Sequence, residues 1–448
     1  MRKTSKVERT QTLFLKLNPS ARIASGFFLL IIIGTFLLKL PFATTQPISW
    51  FDTLFTATSA VTVTGLIVVN TGTAFTIFGQ SVIMVLMQLG GLGLMTFAVS
   101  IFLLLKRKVG MQQRMLIQES FNQNTTGGLV QLVRGLIVFA LGIEGIGFIL
   151  LSLRWIPEFG WKRGAFVSLF HTIAAFNNAG FSIWSDNLSA YQSDPIVTLT
   201  ITSLFLLGGI GFTVLLDVWH HRKFKVLSLH SKIMIVGTFV VNTIALLLIF
   251  SMEYSNPETI GNLSVGGKLL ASYFQALTPR TAGFNSVNIS GLYPATLLLT
   301  TLLMFIGAGS ASTGSGIKLS TFIVLLLTPL TVLSGKKETS IFGRTIKDTA
   351  ILRALTITII SMSLVFVGTF ILMLTEQASF MEILFEVVSA FGTVGLTMGL
   401  TPYLSTTGKI VIMMIMFTGR IGSLTIASIL ARKKETFIRY PKEDVFIG

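Results

Sequence analysis

Apolar stretches of two lengths alternate along the chain in a fixed order. A membrane-spanning helix needs about 20 apolar residues. Eight stretches of the 448-residue sequence are long enough, whereas four others hold only about 12 residues and are too short to cross. The long stretches are predicted at about 23–40, 73–105, 129–152, 195–218, 233–251, 293–331, 350–374 and 406–431. The short ones lie between them, at about 50–62, 164–176, 266–279 and 379–391. The pattern predicts four units, each made of a span, a short helix, a turn and a second span.

Each short stretch ends in a four-residue motif that closes on glycine. The motifs are Thr62-Val63-Thr64-Gly65, Asn177-Asn178-Ala179-Gly180, Arg280-Thr281-Ala282-Gly283 and Gly392-Thr393-Val394-Gly395. The glycines follow one another at intervals of 115, 103 and 112 residues, and a large apolar residue comes after each of them. An aromatic residue stands nine or ten positions before each glycine, at Phe55, Phe170, Phe274 and Phe385. Motifs that recur in the same order four times indicate internal duplication.

A second cluster of small residues follows each glycine motif by about 25 residues. The clusters begin at Gly90, Gly208, Gly307 and Gly419. The third is the longest, because ten small residues at 307–316 interrupt an otherwise apolar span. Glycine costs a helix about 1 kcal/mol per position relative to alanine, so we expect this segment to be a loop inside the protein, beside water. A polar loop below the third motif could block or admit an ion. The alternative is a tight helix crossing without movement.

Composition places the pattern in a lipid bilayer. Apolar residues make up 52% of the sequence and charged residues 12%, and the mean hydropathy is +0.78. Soluble domains carry about 25% charged residues, so soluble packing could not hide this much apolar surface. The sequence contains no cysteine, which excludes disulfides and thiolate metal sites.

Positive charge marks the predicted cytoplasmic side. The net charge is +16, and 25 of the 34 Lys and Arg residues lie in the two ends of the chain and in loops 106–134, 222–232 and 336–353. Basic clusters between apolar spans follow the positive-inside rule. We therefore expect a multi-pass plasma-membrane protein with both termini in the cytoplasm and a first span that is not cleaved off. Anionic membrane lipids are expected partners, whereas nucleic acid is not, because no basic face is interleaved with exposed aromatic residues.

These signals predict the domain boundaries. The expected parts are a cytoplasmic segment 1–22, repeats at 23–106, 129–218, 231–332 and 349–431, and a cytoplasmic tail 432–448. The predicted fold class is an all-α membrane protein with four tandem repeats around a central pore, related by pseudo-fourfold symmetry.

The predicted function of the four turns is to bind a cation. Non-helical backbone at membrane depth is tolerated only where protein buries it or where it lines water. Four glycine turns around one axis could face each other across a wet channel, and a ring of carbonyl oxygens can replace the hydration shell of a cation. The negative end of each short helix favours a cation at the turn. All sixteen motif residues are therefore candidate ion ligands through their backbone. The alternative is four hairpins whose glycines serve only close packing.

The motifs resemble one known family. Thr62–Leu66, Phe176–Phe181, Thr278–Asn285 and Phe391–Leu396 are similar to the turns of KtrB/KtrD-type membrane subunits of the Trk/Ktr/HKT superfamily of potassium transporters. The likeness covers essentially the whole chain. It implies that the turn glycines form a potassium selectivity filter, since glycine in all four turns is typical of potassium-selective members and a serine in the first is typical of some sodium-preferring relatives.

The resemblance also implies partners and a gate. It implies a homodimer in which each protomer has its own pore, and a cytoplasmic ring of nucleotide-binding regulatory subunits of the KtrA/KtrC type. Potassium would be the transported ion, with a sodium dependence that is left open between coupling and activation. The gate would be the loop at 307–316, including Gly307, Gly309, Gly314 and Gly316.

Three basic residues within apolar stretches are functional candidates, because a charge at membrane depth is costly unless it is paired. Arg420 aligns with Ala308 of the third cluster, and the resemblance gives it a gating role; it is expected to contact the loop or to repel ions. The alternative is a structural ion pair with a carboxylate such as Glu144. Lys318 is expected to snorkel or to anchor the end of the loop. Arg280 is expected to tie the third turn to a neighbouring short helix through Glu386 or Asp52.

Other function classes are weaker. An alternating-access carrier typically has inverted repeats, whereas the loop charges give all four units one orientation. A non-conducting anchor for cytoplasmic subunits stays open until ion flux is measured. No enzyme is expected, because the apolar stretches contain no cluster of His, Asp or Glu with metal or nucleophile spacing. The glycines at 307–314 lack the preceding strand and the lysine of nucleotide-binding loops, so no nucleotide site is expected on this chain.

Overall fold

The computed structural model is mostly helical, with very little strand. It describes residues 19–93 and 129–423, together with Thr425, Pro441 and Glu443. The described helices are α1 (Pro19–Leu38), α2 (Trp50–Thr62), α3 (Thr71–Ala74), α4 (Ile77–Leu92), α5 (Leu129–Phe159), α6 (Trp161–Phe176), α7 (Pro195–Gly209), α8 (Phe212–His220), α9 (Leu229–Glu253), α10 (Val265–Leu277), α11 (Pro294–Phe305), α12 (Leu319–Leu333), α13 (Asp348–Thr375), α14 (Phe380–Gly392) and α15 (Thr406–Ile421). A small hairpin of β1 (Ser340–Ile341) and β2 (Arg344–Thr345) lies between α12 and α13.

Parts of five predicted segments lie outside the described residues. They are the N-terminal segment up to residue 18, the end of the first return span at 94–105, the basic loop from 106 to 128, residues 424 and 426–431 of the last span, and all but two positions of the tail 432–448.

Among the described residues, the first helix of each unit, called here the leading helix, is long and apolar enough to cross a membrane. These helices are α1, α5, α9 and α13, one in each predicted unit. Their outward faces carry exposed apolar side chains such as Phe28, Ile146 and Phe366, which are 59%, 62% and 71% exposed. Helix faces that expose so many large apolar side chains would be unfavourable in water, so these faces fit the hydrocarbon of a bilayer.

The second span of each unit, called here the return segment, is interrupted or shortened more often than the sequence predicted. The second return segment is bent by 92° between α7 and α8, the third is broken between Phe305 and Leu319, and the first and fourth helices end at Leu92 and Ile421. The sequence predicted an interruption only in the third. The cause is the small-residue cluster, because Gly93, Gly211 and Gly422 have φ of 84°, 107° and 97°, a conformation that glycine adopts without strain.

The short helices lie where the sequence places them. They are α2, α6, α10 and α14, and three of them begin at a serine that caps the first turn: Ser49, Ser264 and Ser379. Ser379 forms a full capping box with Glu382. Such caps satisfy amide groups that have no partner within the helix. The exception is α6, which follows α5 directly through Gly160 at φ 78°.

Helix packing runs in a cycle. The return helix of each unit packs on the short helix of the next: α4 on α6, α7 on α10 and α11 on α14. The cycle closes because α15 of the fourth unit packs on α2 of the first. Four units around one axis would give this order of contacts, and the pseudo-fourfold symmetry itself stays a prediction.

Hydrogen bonds connect the two long helices of each unit on the predicted outer side. In every unit the N-cap of the return helix bonds to the end of the leading helix or to the residues that follow it. The bonds are Thr76 Oγ1 to the Phe42 carbonyl (2.7 Å), Arg154 Nε to Asp194 (2.6 Å), the Tyr293 amide to Glu253 (3.0 Å) and the Ser405 amide to Glu376 (2.9 Å). These four bonds, called here the outer bonds, fix the return helices over the short helices.

The clusters of small residues allow the return helices to approach the short helices closely. A Cβ on Gly90, Gly208 or Gly419 would overlap a backbone carbonyl oxygen near the end of the same unit's short helix, at Val61, Phe176 or Phe391 respectively. Backbone cannot move aside as a flexible side chain can, so these positions require glycine.

We predict that Gly419→Ala lowers the free energy of unfolding by about 1–3 kcal/mol, the usual cost of overpacking. Gly145→Ala is the matched control, because it lies on the exposed face of α5 with no atom within 4 Å of the added carbon, and it should be neutral or slightly stabilising. Thermal unfolding of the purified protein measures both. Equal midpoints for the two variants would contradict the packing argument.

Candidate functional site

The four glycine motifs adopt one backbone conformation. The residue two positions before each glycine has a positive φ: 58° at Val63, 57° at Asn178, 77° at Thr281 and 46° at Thr393. The glycines themselves have φ of 88° at Gly65, 66° at Gly180, 72° at Gly283 and 97° at Gly395. Non-glycine residues with positive φ are uncommon and cost energy. Four of them at the same position of four motifs indicate one turn, built four times.

The four turns meet in a closed cycle. The open face of each glycine is filled by the backbone of the next turn. The contacts run from Gly65 to Ala179, from Gly180 to Ala282 and Gly283, from Gly283 to Val394, and from Gly395 to Thr64. A side chain on any of the four would overlap or crowd neighbouring backbone. Each turn is therefore in van der Waals contact with the next one, and the fourth with the first.

Most polar side chains of the turns point to protein partners. Thr62 Oγ1 bonds to the Thr58 carbonyl at 2.8 Å and lies 2.7 Å from Thr64 Oγ1. Asn177 Nδ2 donates to Gln88 at 2.6 Å, and Arg280 Nη1 donates to Asn242 at 2.9 Å. The backbone oxygens are thus the groups that the four turns have in common.

Hydrogen bonds within the chain hold three of the turns in the same way. The amide before the glycine donates to the carbonyl five residues earlier, from Thr64 to Ser59, Ala179 to Ala174 and Val394 to Ser389, each at 2.8 Å. The third turn differs, because Ala282 donates to Thr278 at 3.0 Å. Pro279, which has no amide hydrogen, precedes this turn and occupies a position that is non-proline in the other copies.

Two serines that the sequence analysis missed support the first and fourth turns. The Gly65 amide donates to Ser59 Oγ at 3.0 Å, and the Gly395 amide donates to Ser389 Oγ at 3.1 Å. Both serines stand six residues before the glycine. The signal was present, but in only two of the four copies.

The loop at 307–316 fills the break in the second unit. Its ends lie next to each other, because Ile306 and Ile317 pair as a parallel bridge. The Gly309 amide donates to the Gly209 carbonyl at 2.8 Å, and the Phe212 amide donates to the Ala311 carbonyl at 2.8 Å. Backbone groups freed by one interruption are thus satisfied by the other, as membrane depth requires.

Thr313 connects this loop to the second turn. Asn178 Nδ2 donates to Thr313 Oγ1 at 2.6 Å, and Thr313 Oγ1 donates to the Phe176 carbonyl at 3.3 Å. On the next residue, a Cβ at Gly314 would overlap the Thr281 hydroxyl of the third turn. The loop therefore touches the turns directly.

Arg420 and Lys318 hold the loop from two sides. The Arg420 guanidinium donates to the Thr313 carbonyl and, at 3.4 Å, to Ser315 Oγ. It also donates to the carbonyls of Gly90 and Gly91, the latter at 2.8 Å. Lys318 Nζ donates to the Gly314 carbonyl at 2.7 Å, so it anchors the end of the loop.

The alternative ion pair of Arg420 and the expected ion pair of Arg280 are both wrong, whereas the expected contact of Arg420 with the loop is present. Arg420 does not pair with Glu144, because both carboxylate oxygens of Glu144 accept from Gln88 Nε2, at 2.9 and 3.2 Å. Arg280 contacts neither of its predicted partners. Glu386 is bonded to the hydroxyls of Thr397 and Thr401, and Asp52 forms an ion pair with Lys409 at 2.8 Å.

The side-chain partners of Glu144 and Arg280 are amides within apolar helices. Gln88 and Asn242 each stand in an otherwise apolar run, which is itself a signal, because polar residues at membrane depth are costly. Gln88 links Glu144 to Asn177, so a chain of three side chains reaches from α5 through α4 to the second turn. The sequence could not pair them, since 56 and 89 residues separate the bonded positions.

His171 is part of the packing around the second turn. Its ring stacks on Trp184 with centroids 4.3 Å apart, and its nitrogens lie 2.9 Å from the Val167 carbonyl and 3.1 Å from Ser182 Oγ. It has no place in the cycle of turns.

Three comparisons find similar proteins. A family model described as TrkH, cation transport protein, matches residues 8–437. The chain is 57% identical to the Ktr system potassium uptake protein B of Bacillus subtilis, over 97% of this chain and 98% of the relative. It is 39% identical to the potassium/sodium uptake protein NtpJ of Enterococcus hirae, over 97% and 98%. The crystal structure of the potassium transporter TrkH from Vibrio parahaemolyticus shares the fold, with a TM-score of 0.74 at 17% identity, over 93% of this chain and 86% of that one.

We predict that Arg420→Ala releases the loop. The variant loses hydrogen bonds to a charged donor, each worth about 1.5–3 kcal/mol, so loop opening should increase at least tenfold. Because the chain has no cysteine, Ser312→Cys can report opening through its reaction with a water-soluble maleimide. The labelling rate should rise at least tenfold when Arg420→Ala is added.

Ser334→Cys serves as the reference site for this measurement. It lies exposed at the end of α12, so its labelling rate should not respond to Arg420→Ala. An unchanged rate at Ser312→Cys would mean that Arg420 does not hold the loop.

Proposed function

The chain belongs to the TrkH family of cation transport proteins, and we propose that it takes up potassium ions through a pore lined by the four turns. The observation that carries the proposal is the closed cycle of Gly65, Gly180, Gly283 and Gly395. Carbonyl oxygens arranged around one axis can replace the hydration shell of a potassium ion. The names of the two relatives, which include potassium uptake, support this choice of ion.

In this proposal the ion is bound by backbone rather than by side chains. The sixteen residues from the motifs at 62–65, 177–180, 280–283 and 392–395 form the selectivity filter. Their side chains differ from turn to turn, whereas the backbone conformation and the glycine recur. Each short helix ends at its turn, and its partial negative charge adds to the attraction for a cation.

The proposed gate is the loop at 307–316. Its contacts with Asn178 and Thr281 put it against two of the turns, so that a small displacement would change access to the filter. Arg420 would hold the closed position, because it bonds to the loop and to carbonyls of the first unit at the same time. Gly307, Gly309, Gly314 and Gly316 would supply the backbone freedom, and Lys318 would anchor the loop end.

Sodium and regulatory partners complete the proposal. The Enterococcus hirae relative is named a potassium/sodium uptake protein, so uptake is proposed to depend on sodium. The Bacillus subtilis relative is named as part of a system, which supports a separate regulatory ring that binds nucleotide, together with a homodimer of this chain. The basic loops 222–232 and 336–353 would form one surface for such a ring, since Phe224 of the first packs on Phe342 of the second with ring centroids 6.2 Å apart. Both termini would share that cytoplasmic side.

We expect Gly283→Ser to raise the potassium concentration for half-maximal uptake at least tenfold and to reduce the preference for potassium over sodium. The new side chain would overlap the Val394 carbonyl, and the φ of 72° strains a serine. Uptake by cells that lack their own potassium transport measures both effects.

Gly266→Ser is the matched control in the same unit, because its added atoms would meet nothing within 4 Å. It should transport like the parent. Unchanged affinity and selectivity in Gly283→Ser, at equal surface expression, would exclude the third turn from the filter.

The purified chain in liposomes should conduct potassium without other proteins, because all four turns of the proposed pore belong to one chain. The flux should respond to nucleotide only after a cytoplasmic nucleotide-binding subunit is added. Absence of flux would favour a non-conducting anchor, and a full nucleotide response by the chain alone would exclude the proposed division of labour.

A further inference from the structure

Arg280 is a buried cation whose side chain makes one hydrogen bond to the described residues. Its side chain leaves the third turn and reaches Asn242 of α9, to which Nη1 donates at 2.9 Å. Arg280 is 8% exposed, and its Nε has no acceptor among the described residues. No carboxylate of the described part of the chain lies within ion-pair distance of it.

A small cavity lies beside this guanidinium. Its volume is about 20 Å³, and Arg280, Asn242 and Thr238 line it together with apolar residues such as Phe205 and Leu206. The hydroxyl of Thr238, a residue that is 9% exposed, also has no partner among the described residues. About 10–15 Å³ suffices for one water-sized ligand, so the cavity has room for a single small species.

The available groups favour an acceptor. A guanidinium has only donors, and a threonine hydroxyl can donate. The oxygen of Asn242 accepts from Arg280. A water molecule would bring two donors of its own, whereas an anion accepts from both unpartnered groups and brings no donor that needs an acceptor.

The charge balance favours the same ligand. An unpaired charge in a low-dielectric interior is strongly unfavourable. The carbonyl end of α10, three residues before Arg280, supplies at most about half a negative charge. We propose that the cavity is a binding site for one small monovalent anion of chloride size, held between Arg280 and Thr238. The site neutralises the arginine behind the third turn, and it stands independently of which cation the protein transports.

Bromide tests the site directly. The purified protein is prepared with potassium bromide in place of potassium chloride, and its structure is determined at the bromine absorption edge. An anomalous peak is expected within hydrogen-bond distance of Arg280 Nε and Thr238 Oγ1. No anomalous peak there, with ordered water in its place, would overturn the proposal.

A solution measurement separates a specific site from a general salt effect. The unfolding midpoint is followed while chloride replaces gluconate at constant potassium and ionic strength. The midpoint of the parent should rise and saturate, because a ligand that binds only the folded state stabilises it. Thr238→Val should need about tenfold more chloride for half of the rise, since a hydrogen bond to a charged group is lost.

Thr301→Val is the matched control. Thr301 is also a buried helical threonine, but its hydroxyl donates to the Leu297 carbonyl and it does not line the cavity. It should keep the parent's chloride dependence. The same chloride dependence in the parent, Thr238→Val and Thr301→Val would overturn the proposal. If Thr238→Val does not fold, the bromide peak in the parent decides.

Discussion

The structure depends on one constraint, which is that peptide groups at membrane depth must find partners inside the protein. Helices satisfy this constraint alone, whereas turns and breaks do not. This chain places four turns and at least two helix breaks within its apolar region. The turns are accommodated by packing against one another in a cycle, and the breaks of the second and third units exchange backbone hydrogen bonds. Irregular backbone in one unit is therefore stabilised by irregular backbone in another.

Arg420 extends the same principle to a charged side chain. The arginine belongs to the fourth unit, yet it donates to carbonyls of the first unit and of the loop in the third. Its guanidinium donates hydrogen bonds to the carbonyls of Gly90, Gly91 and Thr313, which lie where a helix ends or is interrupted. A single guanidinium thus links three of the four units below the turns. This explains how a charge at this depth is tolerated without a carboxylate, and why it suits a proposed role in holding the loop.

The sequence predicts local features well and pairings between distant elements poorly. The short helices and the four turns follow from segment length and from the register of Gly65, Gly180, Gly283 and Gly395, because both depend on residues that are near one another in the sequence. The break at Gly211 was missed, since a helix there would be possible without the loop of the third unit that replaces its hydrogen bonds. The alternative partner of Arg420 and the expected partners of Arg280 were wrong for a related reason. Carboxylates are the obvious partners for an arginine, but in the fold Glu144 is bonded to Gln88 and Arg280 to Asn242.

The outer bonds have a consequence for biosynthesis. Each joins residues of one unit only, such as Glu253 with Tyr293 or Glu376 with Ser405, so each hairpin can be secured as soon as its own return helix has left the ribosome and entered the bilayer. The glycine cycle cannot form so early, because its last contact joins Gly395 to Thr64. During synthesis the cycle of the first three turns therefore stays incomplete until the fourth hairpin is inserted. Truncation before that point would leave a membrane intermediate that has the outer bonds of the first three units but lacks the contacts of Gly283 and Gly395 that close the cycle.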